Sequence, residues 1–496
     1  MKKISSALIS VYDKEGLEPI LNMLQKLGVK IYSTGGTQTF IENLNMEVTP
    51  VEELTGFPSI LGGRVKTLHP AIFGGILYRR ENQQDIEEIE KFGIPPIDLV
   101  IVDLYPFEET LENKGLEDEV IEKIDIGGVS LIRATAKNFS NTVIVANKNL
   151  YPQLLKHLTE QEGNTSLETR KYYAEQAFAT TSHYDTAIHN FFAGKKNYEL
   201  RYGENPHQTA TFTGNLETLF KKHQGKELSY NNLLDIDAAL ALVIDFPKTE
   251  PVFAIIKHNN ACGLAIRPTL HEAYLAALAG DPVSAFGGIL CCNAEVDAAT
   301  ALEMDKLFFE IIMAPGYSAE AIQILQSKKN RNILEMIDTK LPNQLSRTIL
   351  NGTLTQDRDS ITETISNFNT VTNTQPTDAE KRDMVVANIL VKHTKSNAII
   401  LVKDNQLIAS GTGQTSRVDA LNQAIHKSNH FGFSLKGAVM SSDAFFPFPD
   451  CVEIAHNAGI SAVIQPGGSI KDNLSIDYCN ANNMAMVITG NRHFKH

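Results

Sequence analysis

The sequence predicts an α/β protein with a parallel sheet, and three observations support this fold class. Near the N-terminus a strand-like apolar run, "ISSALISVY", is followed by apolar residues at helical spacing, namely Leu17, Ile20, Leu21, Leu24 and Leu27. The same alternation of strand and helix signals continues through "VKIYST", "IDLVIVDLYPF" and "NTVIVAN", and strands separated by helices pair in parallel. The hydrophobic content of 43% and charged content of 21% are those of an ordinary globular protein.

The length of 496 residues predicts at least two domains, because a single hydrophobic core stops growing well below this size. Near residue 195 glycine and charged residues replace the apolar pattern, so we place the domains at 1–195 and 196–496. A long polar segment indicates an internal boundary of the second domain near residue 375. "AIIKHNNACG" and "ILVKHTKSNAI" both put Lys-His after an apolar run, which is a weak indication of internal duplication.

Composition excludes several function classes. The net charge of −13 argues against a nucleic-acid or membrane partner but leaves room for a locally basic pocket that binds a small anion. We interpret the N-terminus as a first strand, not a signal peptide, and no apolar run is long enough to span a bilayer. The cysteine count is odd, five, and every cysteine lies in the second half, which predicts no disulfide framework and a reducing cytoplasm.

Two glycine-containing turns of the first domain are candidate anion sites. "STGGT" (33–37) lies between a strand and a helix, where a phosphate can meet free N–H groups, although a simple tight turn is as good an explanation. "LGGRVKTLHP" (61–70) offers Arg64 to a phosphate and Lys66 to an oxyanion. Tyr105 follows a strand and lies where open sheets bind ligands, or is a packing tyrosine before a proline. Asp125 and Lys137 are an acid–base pair, or a helix cap and a surface lysine; local sequence favours the second reading.

In the second domain, "FAIIKHNNACG" (253–263) raises a geometric question. Neighbours on a strand point to opposite faces, so Lys257 and His258 share a site only if the strand has ended and the chain has turned. His258 is then a candidate general base, against the alternative of a satisfied core histidine. With Cys262 it makes only two ligands, too few for a zinc site. Further along, Asp443 beside Phe445 and Phe446 can bind and stack a heteroaromatic ring.

Several long stretches, in order, closely resemble one family over essentially the whole chain. They are "GGRVKTLHP", "IDIGGVSLIRATAKN", "RYGENPHQ", "DPVSAFGG", "SDAFFPF", "VIQPGGSIKD" and "RHFKH". The family is the bifunctional purine-biosynthesis enzyme that is both phosphoribosylaminoimidazolecarboxamide (AICAR) formyltransferase and inosine monophosphate (IMP) cyclohydrolase. The resemblance implies a methylglyoxal-synthase-like doubly wound parallel sheet in the N-terminal cyclohydrolase domain. It also implies a C-terminal transformylase of two cytidine-deaminase-like α/β subdomains.

The resemblance implies a formyl transfer from 10-formyltetrahydrofolate to the 5-amino group of AICAR in a homodimer with transformylase sites at the interface. His258 would remove the amine proton, Lys257 would stabilise charge at the formyl carbon, and Asn397 would orient the formyl group. Zinc deaminases need a PCxxC signature, and "FPFPDCVEIA" has one cysteine, so no metal is expected for the chemistry. Family substrate-binding positions match Arg201, Tyr202, Gly287, Glu310, Arg417, Phe445 and Arg492.

For ring closure of the formylated product (FAICAR) to IMP, the resemblance implies a catalytic cluster whose individual roles stay open. The cluster comprises Lys66, Tyr105, Asp125 and Lys137. Positions matching the phosphate and ribose site are Lys14, Ser33, Gly35, Thr37, Arg64 and Thr67. The rival hypothesis is a non-catalytic purine-nucleotide-binding regulatory protein.

Three positions depart from the family pattern. Tyr12 replaces a frequent serine, Asp103 replaces the usual asparagine, and Ala261 replaces a frequent proline. A carboxylate at 103 should be unfavourable beside an anionic ligand unless a lysine pairs with it or it faces away. Alanine at 261 is expected to loosen the turn after Lys257 and His258.

Overall fold

A computed structural model describes residues 1–61, 65–113 and 115–496 of the chain. The described residues form two compact units, Met1–Lys195 and Lys196–His496. None of the described helices is long and apolar enough to cross a membrane.

The first unit alternates short strands with helices. Its strands are β1 (Lys2–Lys3), β2 (Ser6–Ser10), β3 (Lys30–Ser33), β4 (Thr49–Pro50), β5 (Leu99–Val102), β6 (Val143–Val145) and β7 (Asn164–Thr165). Its helices are α1 (Glu18–Lys26), α2 (Gly35–Asn43), α3 (Val51–Thr55), α4 (Pro70–Leu77), α5 (Gln83–Lys91), α6 (Phe107–Glu112), α7 (Glu117–Glu122), α8 (Gly127–Lys137), α9 (Tyr151–Glu160) and α10 (Leu167–Phe192).

The main sheet of this unit has the order β4-β3-β2-β5-β6 and is parallel throughout. Its central strands are buried on both faces, as their continuous apolar runs predict. The chain starts in the middle of the sheet at β2 and later places β3 and β5 on either side of it. This strand order opens a crevice at the carboxyl ends of β2, β3 and β5, where doubly wound sheets bind ligands. The predicted parallel sheet is confirmed.

The second unit is also α/β. Its strands are β8 (Lys196–Leu200), β9 (Ala210–Gly214), β10 (Phe220–Gln224), β11 (Val252–Lys257), β12 (Asn260–Ile266), β13 (Ile289–Cys292), β14 (Ile311–Ala314), β15 (Asn332–Met336), β16 (Gln344–Ile349), β17 (Gly352–Asp357), β18 (Asn369–Thr370), β19 (Ile399–Lys403), β20 (Gln406–Gly411), β21 (Val439–Ser442), β22 (Ala462–Gln465) and β23 (Ala485–Ile488). Its helices are α11 (Leu216–Leu219), α12 (Tyr230–Ile244), α13 (Leu270–Gly280), α14 (Ala298–Asp305), α15 (Ala319–Leu325), α16 (Asp378–Lys392), α17 (Arg417–His430), α18 (Asp450–Asn457) and α19 (Asp472–Ala481).

One 12-stranded mixed sheet runs through this unit in the order β10-β15-β14-β13-β11-β12-β20-β19-β21-β22-β23-β18. The two halves of the sheet meet where Ala265 of β12 pairs with Gln406 of β20. On one face α12 and α16 contribute to a single core shared by both halves. On the other face α13–α15 and α17–α19 cover separate cores, one for each half.

The two halves repeat the same elements in the same order. Each has a helix, an antiparallel hairpin, a second helix and then three parallel strands, with an edge strand antiparallel to the last of them. The duplication is therefore present. The two Lys-His pairs of the sequence are not equivalent positions in it, because Lys257 ends strand β11 whereas Lys392 ends helix α16. The true counterpart of Lys257 is Lys403, which ends β19.

A polar stretch connects the halves. The β16–β17 hairpin within it is solvent-exposed at every residue. The later β18 already pairs with β23 at the far edge of the sheet, so the chain has crossed to the second half before residue 375.

Candidate functional sites

The first unit contains a cavity of about 560 Å³ at the crevice of its sheet. Its lining comes from the residues after β2, β3 and β5 and from the N-terminus of α8. The strand order therefore places the cavity where the sequence placed Tyr105 and the "STGGT" turn.

Two lysines converge on the N-terminus of α2 in this cavity. A Cβ built on Gly35 would lie 3.1 Å from the Lys66 Nζ atom, and one built on Gly36 would lie 3.8 Å from the Lys14 Nζ atom. The first turn of a helix presents unpaired N–H groups and the positive end of the helix dipole. Two ammonium groups beside that turn favour negative charge on a ligand, so this end of the cavity is suited to a phosphate and to a developing oxyanion.

The hydroxyl groups of the "STGGT" turn differ in availability. Ser33 donates to the Ile9 carbonyl (2.7 Å), and Thr37 both donates to the Val11 carbonyl (2.9 Å) and accepts from its N–H (3.0 Å). The Thr34 hydroxyl is buried and has no hydrogen-bond partner among the described residues. Sequence reasoning named Ser33 and Thr37 and missed Thr34, although its N-cap position directly before Gly-Gly was a usable signal.

A carboxyl group and a phenol occupy the opposite wall. Asp125 accepts from the Gly128 N–H (2.6 Å), and its own N–H donates to the Tyr184 hydroxyl (2.9 Å). Burial raises the pKa of Asp125. Burial raises the pKa of Tyr105 as well, and the nearby Asp125 charge adds to that effect. The wall therefore offers groups able to exchange protons with a bound ligand.

The remaining predicted residues of this unit divide into three cases. Thr67 is buried and lines the cavity. Lys137 is the last residue of the 11-residue helix α8, so it lies about 15 Å along the axis from the cavity end of that helix. It is exposed and does not join the lining that the described residues form. The prediction for Arg64 falls outside the described residues.

Asp103 turns its carboxylate toward the backbone, which resolves the departure noted in the sequence. It accepts from the N–H groups of Tyr12 and Asp13, the latter at 2.9 Å. Burial raises its pKa, and these N–H groups oppose that rise. The other departure, Tyr12, packs edge-on against Tyr105 with ring centroids 5.7 Å apart, so it shapes the cavity mouth.

Replacing Asp103 by asparagine is expected to weaken binding of the cyclohydrolase substrate. The two carboxylate oxygens of Asp103 accept one N–H each, whereas asparagine has a single acceptor oxygen. One N–H beside Lys14 therefore loses its partner, at a cost of about 1–3 kcal/mol. The KM for FAICAR should rise about tenfold as the Lys14 loop loosens, measured by steady-state kinetics. Formyl transfer by the same protein is the internal control, and an unchanged KM would show that the contact does not position the loop.

The second unit contains a cavity of about 400 Å³ lined by the end of β11, the starts of α12 and β13, and the loop after β8. Lys257, His258, Gly287, Glu310, Arg201 and Tyr202, all predicted from the sequence, line it together. Asn231, Asn232, Asp235 and Lys226 also line it and were not predicted.

The β11–β12 hairpin answers the question posed by Lys257 and His258. Lys257 pairs with Asn260, so the turn consists of His258 (φ 51°) and Asn259 (φ 63°), the left-handed pair that two-residue hairpins favour. The strand ends and the chain turns, as predicted, and His258 is exposed rather than a core histidine. Ala261 lies beyond the turn, paired with Ile256 in the ladder.

The Lys257 ammonium is held at the cavity wall. It donates to the Phe286 carbonyl (2.9 Å), and a Cβ on Gly287 would lie 3.1 Å from it. Gly287 has a φ of 68°, a conformation that favours glycine. A side chain at this position would be strained and would crowd the lysine.

Both acidic and basic groups line the rest of this cavity. Glu310 accepts from the Asn232 amide (3.1 Å) and pairs with Lys226 (3.5 Å). The Arg201 guanidinium stacks on the Tyr202 ring (4.7 Å) and donates to its hydroxyl (2.9 Å). Asp235 accepts from the Asn259 N–H (2.7 Å). The arrangement is suited to a polar, flat ligand with both donors and acceptors.

A second group of predicted residues lies outside the lining of that cavity. Arg417 donates to Asn397 (2.9 Å) and to the buried Asp443 (2.8 Å), and more weakly to the Phe445 carbonyl (3.4 Å). Asp443 therefore orients Arg417 and does not itself face a ligand. Phe446 is fully buried in the core of the second half, so its predicted stacking role is wrong, whereas Phe445 is partly exposed.

The C-terminal segment is fixed beside this second group. His493 is buried between Asp359 (2.7 Å) and Glu363 (3.1 Å). Burial alone would lower its pKa, but hydrogen bonds to these carboxylates raise it to about 9. The backbone N–H of His493 donates to the Asp443 carbonyl (3.1 Å). This contact places the neighbouring Arg492 next to Arg417 and its partners.

Two α/β units, each with a cavity that combines lysines with proton-exchanging groups, define a bifunctional enzyme. Comparison with known proteins agrees: residues 135–427 match the model of the AICARFT/IMPCHase bienzyme, and residues 16–130 match that of the MGS-like domain. The chain belongs to the AICARFT/IMPCHase bienzyme family. It is an enzyme of purine biosynthesis with AICAR formyltransferase and IMP cyclohydrolase activities, and its first unit contains the methylglyoxal-synthase-like domain.

Full-length relatives support the assignment. The "Bifunctional purine biosynthesis protein PurH" of Bacteroides thetaiotaomicron is 58% identical over 100% of this chain and 99% of its own. The protein of the same name from Aquifex aeolicus is 46% identical over 99% of this chain and 100% of its own. A solved structure titled "Crystal structure of ForH" is 34% identical and covers 38% of this chain and 96% of its own, with a TM-score of 0.34.

Proposed function

We propose that each unit carries one of the two activities: ring closure in the cavity of residues 1–195 and formyl transfer in residues 196–496. The observation that carries this proposal is the presence of two cavities with different chemistry. One has lysines at a helix N-terminus opposite a carboxyl–phenol pair. The other presents a lysine and an imidazole from one hairpin.

In the cyclohydrolase cavity, Lys14, Thr34 and the first turn of α2 bind the substrate phosphate. Lys66 polarises the formyl oxygen that leaves as water, and Asp125 and Tyr105 exchange the protons of the carboxamide nitrogen and that oxygen. Ring closure is intramolecular, so holding FAICAR in a folded conformation removes most of the entropic barrier. We assign no step to Lys137, at the far end of α8, or to Ser33, which bonds Ile9, and their roles stay predictions from the resemblance.

In the transformylase cavity, His258 removes a proton from the AICAR amine as its nitrogen attacks the formyl carbon. The amine lone pair is delocalised into the imidazole ring and carboxamide, so attack needs this assistance. Lys257 stabilises the negative charge on the formyl oxygen. Arg201 and Tyr202 bind the nucleotide, and Gly287 and Glu310 contact its ring.

The family uses a formyl-folate as co-substrate, and we assign 10-formyltetrahydrofolate to this chain. Asn397 orients its formyl group, and Arg417, Phe445 and Arg492 complete the site. No group of three or more metal-binding side chains occurs within the described part of the chain, and the roles above need no metal.

The transformylase site is proposed to form in a homodimer. The exposed β16–β17 hairpin supports this, because an isolated two-stranded hairpin is marginally stable in water and needs a surface to pack on. Sedimentation velocity of the full chain should show a dimer, and a monomer at working concentration would contradict this point.

The five cysteines are all free and buried, which supports a cytoplasmic location.

The direct test supplies AICAR and 10-formyltetrahydrofolate to the purified protein and follows FAICAR and IMP by chromatography. Both products should form in sequence. Tight nucleotide binding without turnover would instead support the regulatory alternative, which no comparison favours.

A further inference from the structure

The β19–β20 hairpin of the second half can be compared with the β11–β12 hairpin, which carries Lys257 and His258. Lys403 pairs with Gln406 around the turn Asp404–Asn405, both left-handed, just as Lys257 pairs with Asn260. Lys403 Nζ donates to the Lys436 carbonyl at 2.9 Å, the distance that Lys257 keeps to its own carbonyl acceptor. Contacts common to both hairpins belong to the fold, and differences between them indicate function.

One difference concerns the carboxylate that holds each turn. Asp235 is the sixth residue of α12, and Asp383 is the sixth residue of α16. Asp383 uses both oxygens, accepting from the N–H groups of Asp404 (3.0 Å) and Asn405 (2.6 Å). Asp235 uses only Oδ1, and within the described residues its Oδ2 has no hydrogen-bond partner.

The second difference is the residue at the turn. His258 stands where the second half has Asp404, and Asp235 lines the same cavity as His258. Resting on the proposed role of His258 as base, we propose that Asp235 is its positioning residue, the free carboxylate oxygen pairing with the imidazole. When the amine nitrogen bonds to the formyl carbon and the carbon–N10 bond of the folate breaks, the amine proton passes to His258. The proton then goes to N10, and the carboxylate stabilises the intervening imidazolium.

Electrostatics around the turn are consistent with this pairing. Burial raises the pKa of Asp235, while the charges of His258 and Lys257 oppose that rise. The other charged groups lining the cavity are Arg201, Lys226, Glu227 and Glu310. Asp235 is singled out among the anions because its α12 position places it directly against the turn.

The test compares Asp235→Asn with the matched control Asp383→Asn. Asp383→Asn loses one of its two acceptor oxygens, whereas Asp235→Asn keeps an oxygen for the Asn259 N–H, so the thermal midpoint should fall at least as far in Asp383→Asn as in Asp235→Asn. Removing the carboxylate at 235 leaves the imidazolium that forms during proton transfer without its stabilising partner. The acid limb of the kcat/KM profile for AICAR should therefore move to lower pH by about half a unit or more, and kcat should fall about tenfold with little change in KM.

The outcomes distinguish a failure of the role proposed for Asp235 from a failure of the role proposed for His258. An unshifted acid limb in Asp235→Asn, or an equal shift in Asp383→Asn, would overturn the positioning role. His258→Gln tests the proposed base independently: if it retained wild-type formyl transfer, the proposed function itself would be wrong. Loss of transfer in His258→Gln with a wild-type profile in Asp235→Asn would refute only the role of Asp235.

Discussion

Replacing His258 by alanine is expected to abolish formyl transfer while ring closure proceeds at the wild-type rate. His258 is exposed at the tip of the β11–β12 turn and lines the cavity without supporting the core, so the variant should fold. Loss of a general base costs roughly 10²–10⁴-fold in rate. Formyl transfer from 10-formyltetrahydrofolate to AICAR measures the loss, and cyclisation of added FAICAR measures the retained activity.

The duplicated hairpin supplies controls for this experiment. Lys257→Met should reduce formyl transfer by about 10²–10³-fold through lost charge stabilisation, whereas Lys403→Met breaks an equivalent carbonyl contact and should leave the rate unchanged. His426, exposed on α17, provides a neutral alanine substitution. If folded His258→Ala lost both activities, the two-site account would be wrong.

Replacing Lys66 by methionine is expected to have the converse effect. The Lys66 ammonium lies next to the first turn of α2, close to where a Cβ on Gly35 would be. Without it the leaving oxygen of FAICAR loses its electrostatic partner, and ring closure should slow by about 10²–10³-fold. Formyl transfer in the same protein should be unaffected.

Lys26→Met is the matched control, because Lys26 is exposed at the end of α1 and is not part of the cavity lining formed by described residues. Cyclisation of FAICAR to IMP, followed spectroscopically, is the measurement. A Lys66→Met variant that closed the ring at the wild-type rate would remove Lys66 from the mechanism.

The first sheet could be predicted because its strands are continuous apolar runs separated by amphipathic helices. The internal duplication could be suspected but not located. Its repeat lies in element order and in the turn geometry at Asp404 and Asn405, whereas the matching letters, Lys392–His393, fall at the end of a helix. Backbone conformation can repeat after side-chain identity has diverged.

The sequence predicted the type of each site more reliably than the residues that form it. A glycine-rich turn signals an anion site, but which hydroxyl is free depends on bonds across the sheet; Ser33 is bonded to β2, and Thr34 is the unpartnered one. Adjacent letters cannot distinguish Phe446 in the core from Phe445 at the surface, since that depends on the path of the chain after β21. No local sequence motif pointed to Asp235. Only the comparison with Asp383 distinguishes a role beside His258 from that of a residue that merely holds the turn.

The most direct test of two independent sites in one chain mixes the two inactive variants. His258→Ala alone should form no IMP from AICAR and 10-formyltetrahydrofolate, and Lys66→Met alone should accumulate FAICAR. Mixed together, they should restore IMP formation after a lag, because FAICAR made by one variant is cyclised by the other. A mixture that still forms no IMP, although each variant retains its remaining activity, would contradict the account.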